Sequence, residues 1–173
     1  GGGWVELQSI SASSDATVDM ETGIDGTYDH YMICVSSVKP VTDNTLLHIR
    51  LKIDGSYQTD ANYNYHTIRS ASYTSTLNHS NSDDVAYIQL TESGNATGQR
   101  YDGRVHFANP DSASDYKSIW FEGSGQGAGN DMARWTGSGL YDGSEAALTG
   151  VRFYMASGNV SSGTFTLYGL TKS

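Results

Sequence analysis

The sequence predicts an all-β protein, a single jelly-roll-like antiparallel β-sandwich of about ten short strands. Three observations carry that reading. Leu47, Ile49, Leu51 and Ile53 alternate with His48, Arg50 and Lys52, the period of a strand with one buried and one wet face. Asp-Gly recurs at Asp25-Gly26, Asp54-Gly55, Asp102-Gly103 and Asp142-Gly143, a dipeptide suited to hairpin turns that need positive φ. Helix-like composition is confined to residues 144–148, about one turn and too short to stand alone.

The elements follow in order. Strands are expected at residues 4–10 and 16–21. Residues 28–38 are apolar on both sides, with Tyr31, Ile33 and Val35 against Met32, Cys34 and Val38, which predicts a central strand covered on both faces. Pro40 cannot donate to a ladder and ends the pairing, and Thr42-Asp43-Asn44 turns the chain into the alternating strand at 45–54. A strand region at 63–76 follows, continuous or broken, then strands at 85–90, 104–108, 116–122, 149–155 and 164–170. Ser157-Gly158-Asn159 and Ser161-Ser162-Gly163 read as a loop or hairpin between the last two. The glycine-dense stretch 123–143 reads as one long loop, a class of segment that is often functional. No fixed period repeats, which disfavours propellers and solenoids. Residues 4–173 are expected to form one domain, with Gly1-Gly2-Gly3 the remnant of a leader or flexible linker.

Composition narrows the function classes. Ten Lys and Arg stand against 19 Asp and Glu, for a formal net charge of −9. Such a chain repels phosphate backbones and anionic membranes, so neither nucleic-acid binding nor membrane insertion is expected. A single cysteine, Cys34, excludes an internal disulfide framework and suits a protein made in a reducing cytoplasm.

Catalytic and metal patterns are weak. Asp25, Asp29, His30 and Cys34 gather acids, an imidazole and a thiol. Yet on a strand His30 and Cys34 stand about 13 Å apart, sharing a face without touching, while a Cys–His pair needs hydrogen-bond reach. They read as a packed thiol and turn acids. Residues 60–64, Asp-Ala-Asn-Tyr-Asn, match the first half of a calcium loop, but Tyr65 stands where the sharp turn needs glycine. The five histidines show no i, i+4 pairing, and no Gly-x-Ser-x-Gly elbow occurs. No catalytic residue, metal ligand or cofactor site is assigned, and a non-enzymatic protein is expected. Three sequons, at Asn78, Asn95 and Asn159, stand against about two that chance gives in a Ser- and Thr-rich chain, and are weak evidence for secretion.

Aromatic residues beside amides remain. Tyr57, Asn62, Tyr63, Asn64 and Tyr65, with Trp135 and Tyr141 beside glycine-rich turns, form a candidate ligand-binding set on loops. Rings cover the apolar faces of sugars while amides satisfy hydroxyls. The alternative is that tyrosine, a good strand former, packs across strands.

The order of motifs resembles a virion surface β-sandwich family of tailed bacteriophages, of tail-fibre-tip or head-decoration type. Thr22-Gly23-Ile24-Asp25 with Thr27-Tyr28-Asp29-His30-Tyr31, then Val38-Lys39-Pro40 and Thr42-Asp43, is similar to the family's opening. Residues 103–110, Gly-Arg-Val-His-Phe-Ala-Asn-Pro, resemble its middle strand and Asn-Pro turn, and residues 157–170 its closing hairpin. The resemblance implies a structural protein on the virion surface, made in the bacterial host cytoplasm. It implies a tail-fibre or receptor-binding module for host adsorption, with a capsid decoration protein as the nearby alternative. Its partners would be other virion proteins and a host surface glycan or protein, and a homotrimer is expected. A secreted carbohydrate-binding module is the alternative outside the phage reading. A glycan-trimming enzyme would instead need two carboxylates across a cleft.

Overall fold

The computed structural model describes residues 2–127 and 131–171. Gly1 of the expected leader and Gly129 of the glycine-dense stretch lie outside them. Thirteen strands and no helix are found among the described residues: β1 (Trp4–Asp15), β2 (Val18–Met20), β3 (His30–Pro40), β4 (Thr45–Ile53), β5 (Ser56–Tyr57), β6 (Tyr63–Ala71), β7 (Thr74–Val85), β8 (Ile88–Ser93), β9 (Tyr101–Ala108), β10 (Lys117–Gln126), β11 (Met132–Tyr141), β12 (Leu148–Met155) and β13 (Val160–Leu170). They form an eight-stranded sheet ordered β1-β13-β3-β9-β10-β11-β6-β7 and a five-stranded sheet ordered β2-β12-β4-β5, with β8 also on β4. All pairings are antiparallel. The all-β sandwich is therefore as expected. The sheet order establishes two antiparallel sheets; the jelly-roll path stays an expectation.

The core lies between the sheets. The alternating face of β4, Leu47, Ile49, Leu51 and Ile53, is fully buried against inward residues of the large sheet. Tyr31 stacks on Phe107 at 5.1 Å and Phe153 packs on Phe165 at 4.9 Å. Each buried Leu, Ile or Phe contributes about 1.5–3 kcal/mol by leaving water.

Several expectations are corrected. β3 is central in its sheet but covered on one face only: Tyr31, Ile33 and Val35 are buried, while Met32 and Cys34 are half-exposed outside. The expected loop at 123–143 is largely the β10–β11 hairpin, with Gly123 opposite Trp135 and Gln126 opposite Met132. Its glycines fit close contacts. A Cβ at Gly139 would meet Ile88 at 2.6 Å, and one at Gly123 would meet the Tyr101 hydroxyl at 2.5 Å. Asp102-Gly103 lies inside β9, where Gly103 faces Gly123. Of the four Asp-Gly pairs, Asp54-Gly55 alone shows the paired positive φ of a primed turn, 49° and 75°, and it joins β4 to β5. Strands β12 and β13 belong to different sheets, so the segment after Met155 crosses between layers and the expected closing hairpin does not pair. The 63–76 region is broken, into β6 and β7.

Candidate functional site

The aromatic and amide set marked in the sequence does not converge on loops. Tyr63, Asn64 and Tyr65 lie in β6 and Trp135 and Tyr141 in β11, and their rings are buried. The loop assignment is corrected here: these side chains alternate inward and pack the core, as tyrosine does in strands. Tyr63 and Tyr141 touch at 4.8 Å. The Leu51 amide donates to the Tyr63 hydroxyl at 2.9 Å, and the Tyr141 hydroxyl donates to Gln58 and Asp60 at 3.1 Å. Asn62 donates to Asp60 and Asn64 to Asp142, so both amides brace the chain. Burial pushes the Tyr63 phenol well above its usual range.

Tyr57 belongs to the outer face of the small sheet, where charged groups close on one another. Arg152 grips Asp19 with two bonds of 2.7 and 2.6 Å and lies 3.9 Å over the Tyr57 ring. Glu21 accepts from Lys52 and from the Tyr57 hydroxyl, both at 2.9 Å. These bonds hold the Glu21 carboxyl below its usual range. Arg50 sits 4.8 Å from the Tyr154 ring centre and donates to the Ala86 carbonyl. His48 stacks on Tyr87 at 4.0 Å, and burial, helped by Arg50, drops its pKa to about 4.

The outer face of the large sheet is arranged differently. Strand alternation turns Met32, Cys34, Arg104, His106, Trp120, Glu122, Arg134 and Ser138 outward, opposite buried Ile33, Val105, Phe121 and Ala133. Register then sets them in rows. Met32 faces His106, His106 faces Trp120, Trp120 faces Ser138 and Ser138 faces His66. In the next row Cys34 faces Arg104, Arg104 faces Glu122 and Glu122 faces Thr136.

An aromatic ridge follows from the first row. The Trp120 indole lies parallel to the His106 imidazole at 3.8 Å. His106 Nδ1 is 3.2 Å from His30 Nε2, and Trp4 meets His30 edge-on at 5.9 Å. Trp120 is 45% exposed and Trp4 42%, unusual for the largest apolar side chain. His106 is buried; that burial, with His30 and Arg104 adding to it against Glu122, lowers its pKa to about 4, so its ring is neutral near pH 7.

Depressions lie on both sides of this ridge. One, of about 450 Å³, includes Met32, Cys34, Asp102, Arg104, Glu122 and Arg134. The other, of about 480 Å³, is lined by residues that include His66, Asn81, Asp83, Ser118 and Ser138. In the first, Glu122 ion-pairs with Arg104 at 2.8 Å and with Arg134 at 2.9 Å. Asp102 pairs with Arg100 at 2.8 Å and accepts from the Ser37 amide. Burial raises the Cys34 thiol pKa, with Arg104 opposing, which disfavours the thiolate a nucleophile needs.

No three His, Cys, Asp or Glu side chains converge on a metal position among the described residues. The ridge and both depressions escaped the sequence reading, although one signal was present. Trp120 stands in the polar phase of residues 118–122, between inward Ile119 and Phe121, where a solvated strand face normally carries small or charged groups. No family model, curated protein or solved structure matches this chain.

Proposed function

We propose that this protein is a non-enzymatic virion surface module that adsorbs to a host-surface glycan through the outer face of its eight-stranded sheet. The observation that carries the reading is the half-exposed Trp120 ring, backed by His106 and set between two depressions. An indole supported on one side and beside small Ser138 on the other offers a flat apolar surface to a pyranose face. Ser, Asn and Asp groups in the second depression suit hydroxyls. The two carboxylates of the first depression are engaged by guanidinium groups rather than isolated in an apolar pocket, the setting a general acid needs.

Placement on a phage particle, and assembly as a homotrimer with other virion proteins, rest on the resemblance of residues 22–43, 103–110 and 157–170. The acidic, disulfide-free, turn-rich chain is compatible with that placement. Strands β1 and β7 are the uncovered edges of the large sheet and supply backbone groups for a neighbouring chain.

The test is binding to a panel of immobilised bacterial surface polysaccharides, wild type against Trp120→Ala. The expected result is binding by the wild type and a loss of about tenfold or more in the variant, the scale of one lost stacking platform. Equal binding by both, or none by the wild type, would remove the glycan reading. Immunogold labelling of the intact particle tests the virion placement separately, and unlabelled particles would refute it.

A further inference from the structure

We infer that the depression beside the ridge is built for the carboxylate of an acidic sugar, so that the glycan is a polymer containing uronic or related sugar acids. The inference rests on the glycan reading above and adds the chemistry of the ligand.

Its first support is local charge. The chain as a whole carries −9, whereas the lining of this depression sets Arg104 and Arg134 against Asp102 and Glu122, and Arg100 pairs with Asp102 from beside it, leaving Glu122 to the two lining arginines. One glutamate serves two guanidinium groups: Arg104 reaches Oε1 through Nε, and Arg134 reaches Oε2 through Nη2. A guanidinium carries five N–H donors in a planar fork. Each of these spends one nitrogen on Glu122 and remains more than half exposed, at 54% and 68%. Paired arginines sharing one carboxylate leave a positive surplus suited to a second carboxylate.

The second support is the contrast with the small sheet, where Asp19 and Glu21 between them close on Arg152, Lys52 and Tyr57 with short bonds. The third is position. Arg104 precedes His106 by two residues on β9 and Glu122 follows Trp120 by two residues on β10, so the arginine pair occupies the outward row next to that of Trp120. The half-exposed Met32 and Cys34 line the same depression.

The probe is a hexamer of galacturonic acid, with its methyl ester as a control of the same shape without charge, titrated calorimetrically at low and at physiological salt. The acid is expected to bind, to weaken with salt as exposed charges are screened, and to outbind the ester by about tenfold. Arg104→Gln and Arg134→Gln are each expected to lose about tenfold. Glu122→Gln is expected to gain about threefold or more, because the competing carboxylate is gone while the side chain keeps its size.

Ester binding equal to acid binding, with both lost in Trp120→Ala, would overturn the acidic-sugar inference and leave the glycan reading intact. Weaker binding by Glu122→Gln would also overturn it, as would failure of the acid to bind while panel polysaccharides bind. Failure of the acid, the ester and the whole panel would remove both readings.

Discussion

The two outer faces of the sandwich hold similar side chains in opposite states. On the small sheet, Arg152, Lys52 and Arg50 each find a carboxylate or a ring, and Tyr57 is pinned between Arg152 and Glu21. On the large sheet, two arginines share Glu122 and an indole stands half-exposed over two depressions. The same residue types are therefore structural on one face and available on the other. What separates them is not composition but whether the neighbours in register complete the hydrogen bonds.

The largest effect expected concerns acid, and it touches both faces. His48 on the small sheet and His106 on the large one both have folded pKa values of about 4, below the 6.5 of the exposed group. The unfolded chain therefore binds protons that the folded chain refuses. Stability is intact above about pH 6.5, falls as pH drops from there towards 4, and levels off below, by at most about 3 kcal/mol per histidine. Urea titrations at stepped pH check this. His48→Gln and His106→Gln should each flatten the slope, and an unchanged slope in either would show that its imidazole is solvated.

A smaller effect sharpens the contrast directly. Arg152→Met removes two short bonds to Asp19 and should cost about 2 kcal/mol, the worth of a charge-assisted pair in a half-buried setting. Arg134→Met removes a contact at an exposed site and should cost less than about 0.5 kcal/mol. Equal losses in chemical denaturation would erase the distinction between the faces.

The smallest effect lies beneath the large sheet. The Tyr101 hydroxyl is buried without a hydrogen-bond partner among the described residues, and burial raises its pKa. Tyr101→Phe should therefore leave stability unchanged or improve it by up to about 1 kcal/mol, since no bond is lost and no polar group stays buried. A clear loss would reveal a partner for that oxygen.

Much of the fold was legible in residue order. The alternation in β4 gave its buried face correctly, and Asn109-Pro110 is a turn, with Asn109 at φ 46° and the Ser112 amide bonded to the Asn109 carbonyl. The β10–β11 hairpin was not legible, because glycines that signal loops also appear where Tyr101 and Ile88 press against a strand. The site was hidden for a related reason. Tyr63, Tyr65, Trp135 and Tyr141 looked like loop aromatics, yet sequence alone does not say which phase of a strand faces the core until one anchor is fixed. Once Phe121 is placed inward, Trp120 must point out. Its neighbours His106 and Ser138 come from register between strands distant in sequence, which no local pattern encodes.

Amide chemical-shift mapping of the tightest-binding panel oligosaccharide tests the central claim most directly. Shifts are expected to cluster at Cys34, Arg104, Trp120, Glu122 and Ser138 on the large sheet, with Lys52, Tyr57 and Arg152 unmoved. Shifts centred on Lys52, Tyr57 and Arg152 instead would contradict it and make the closed network the recognition face.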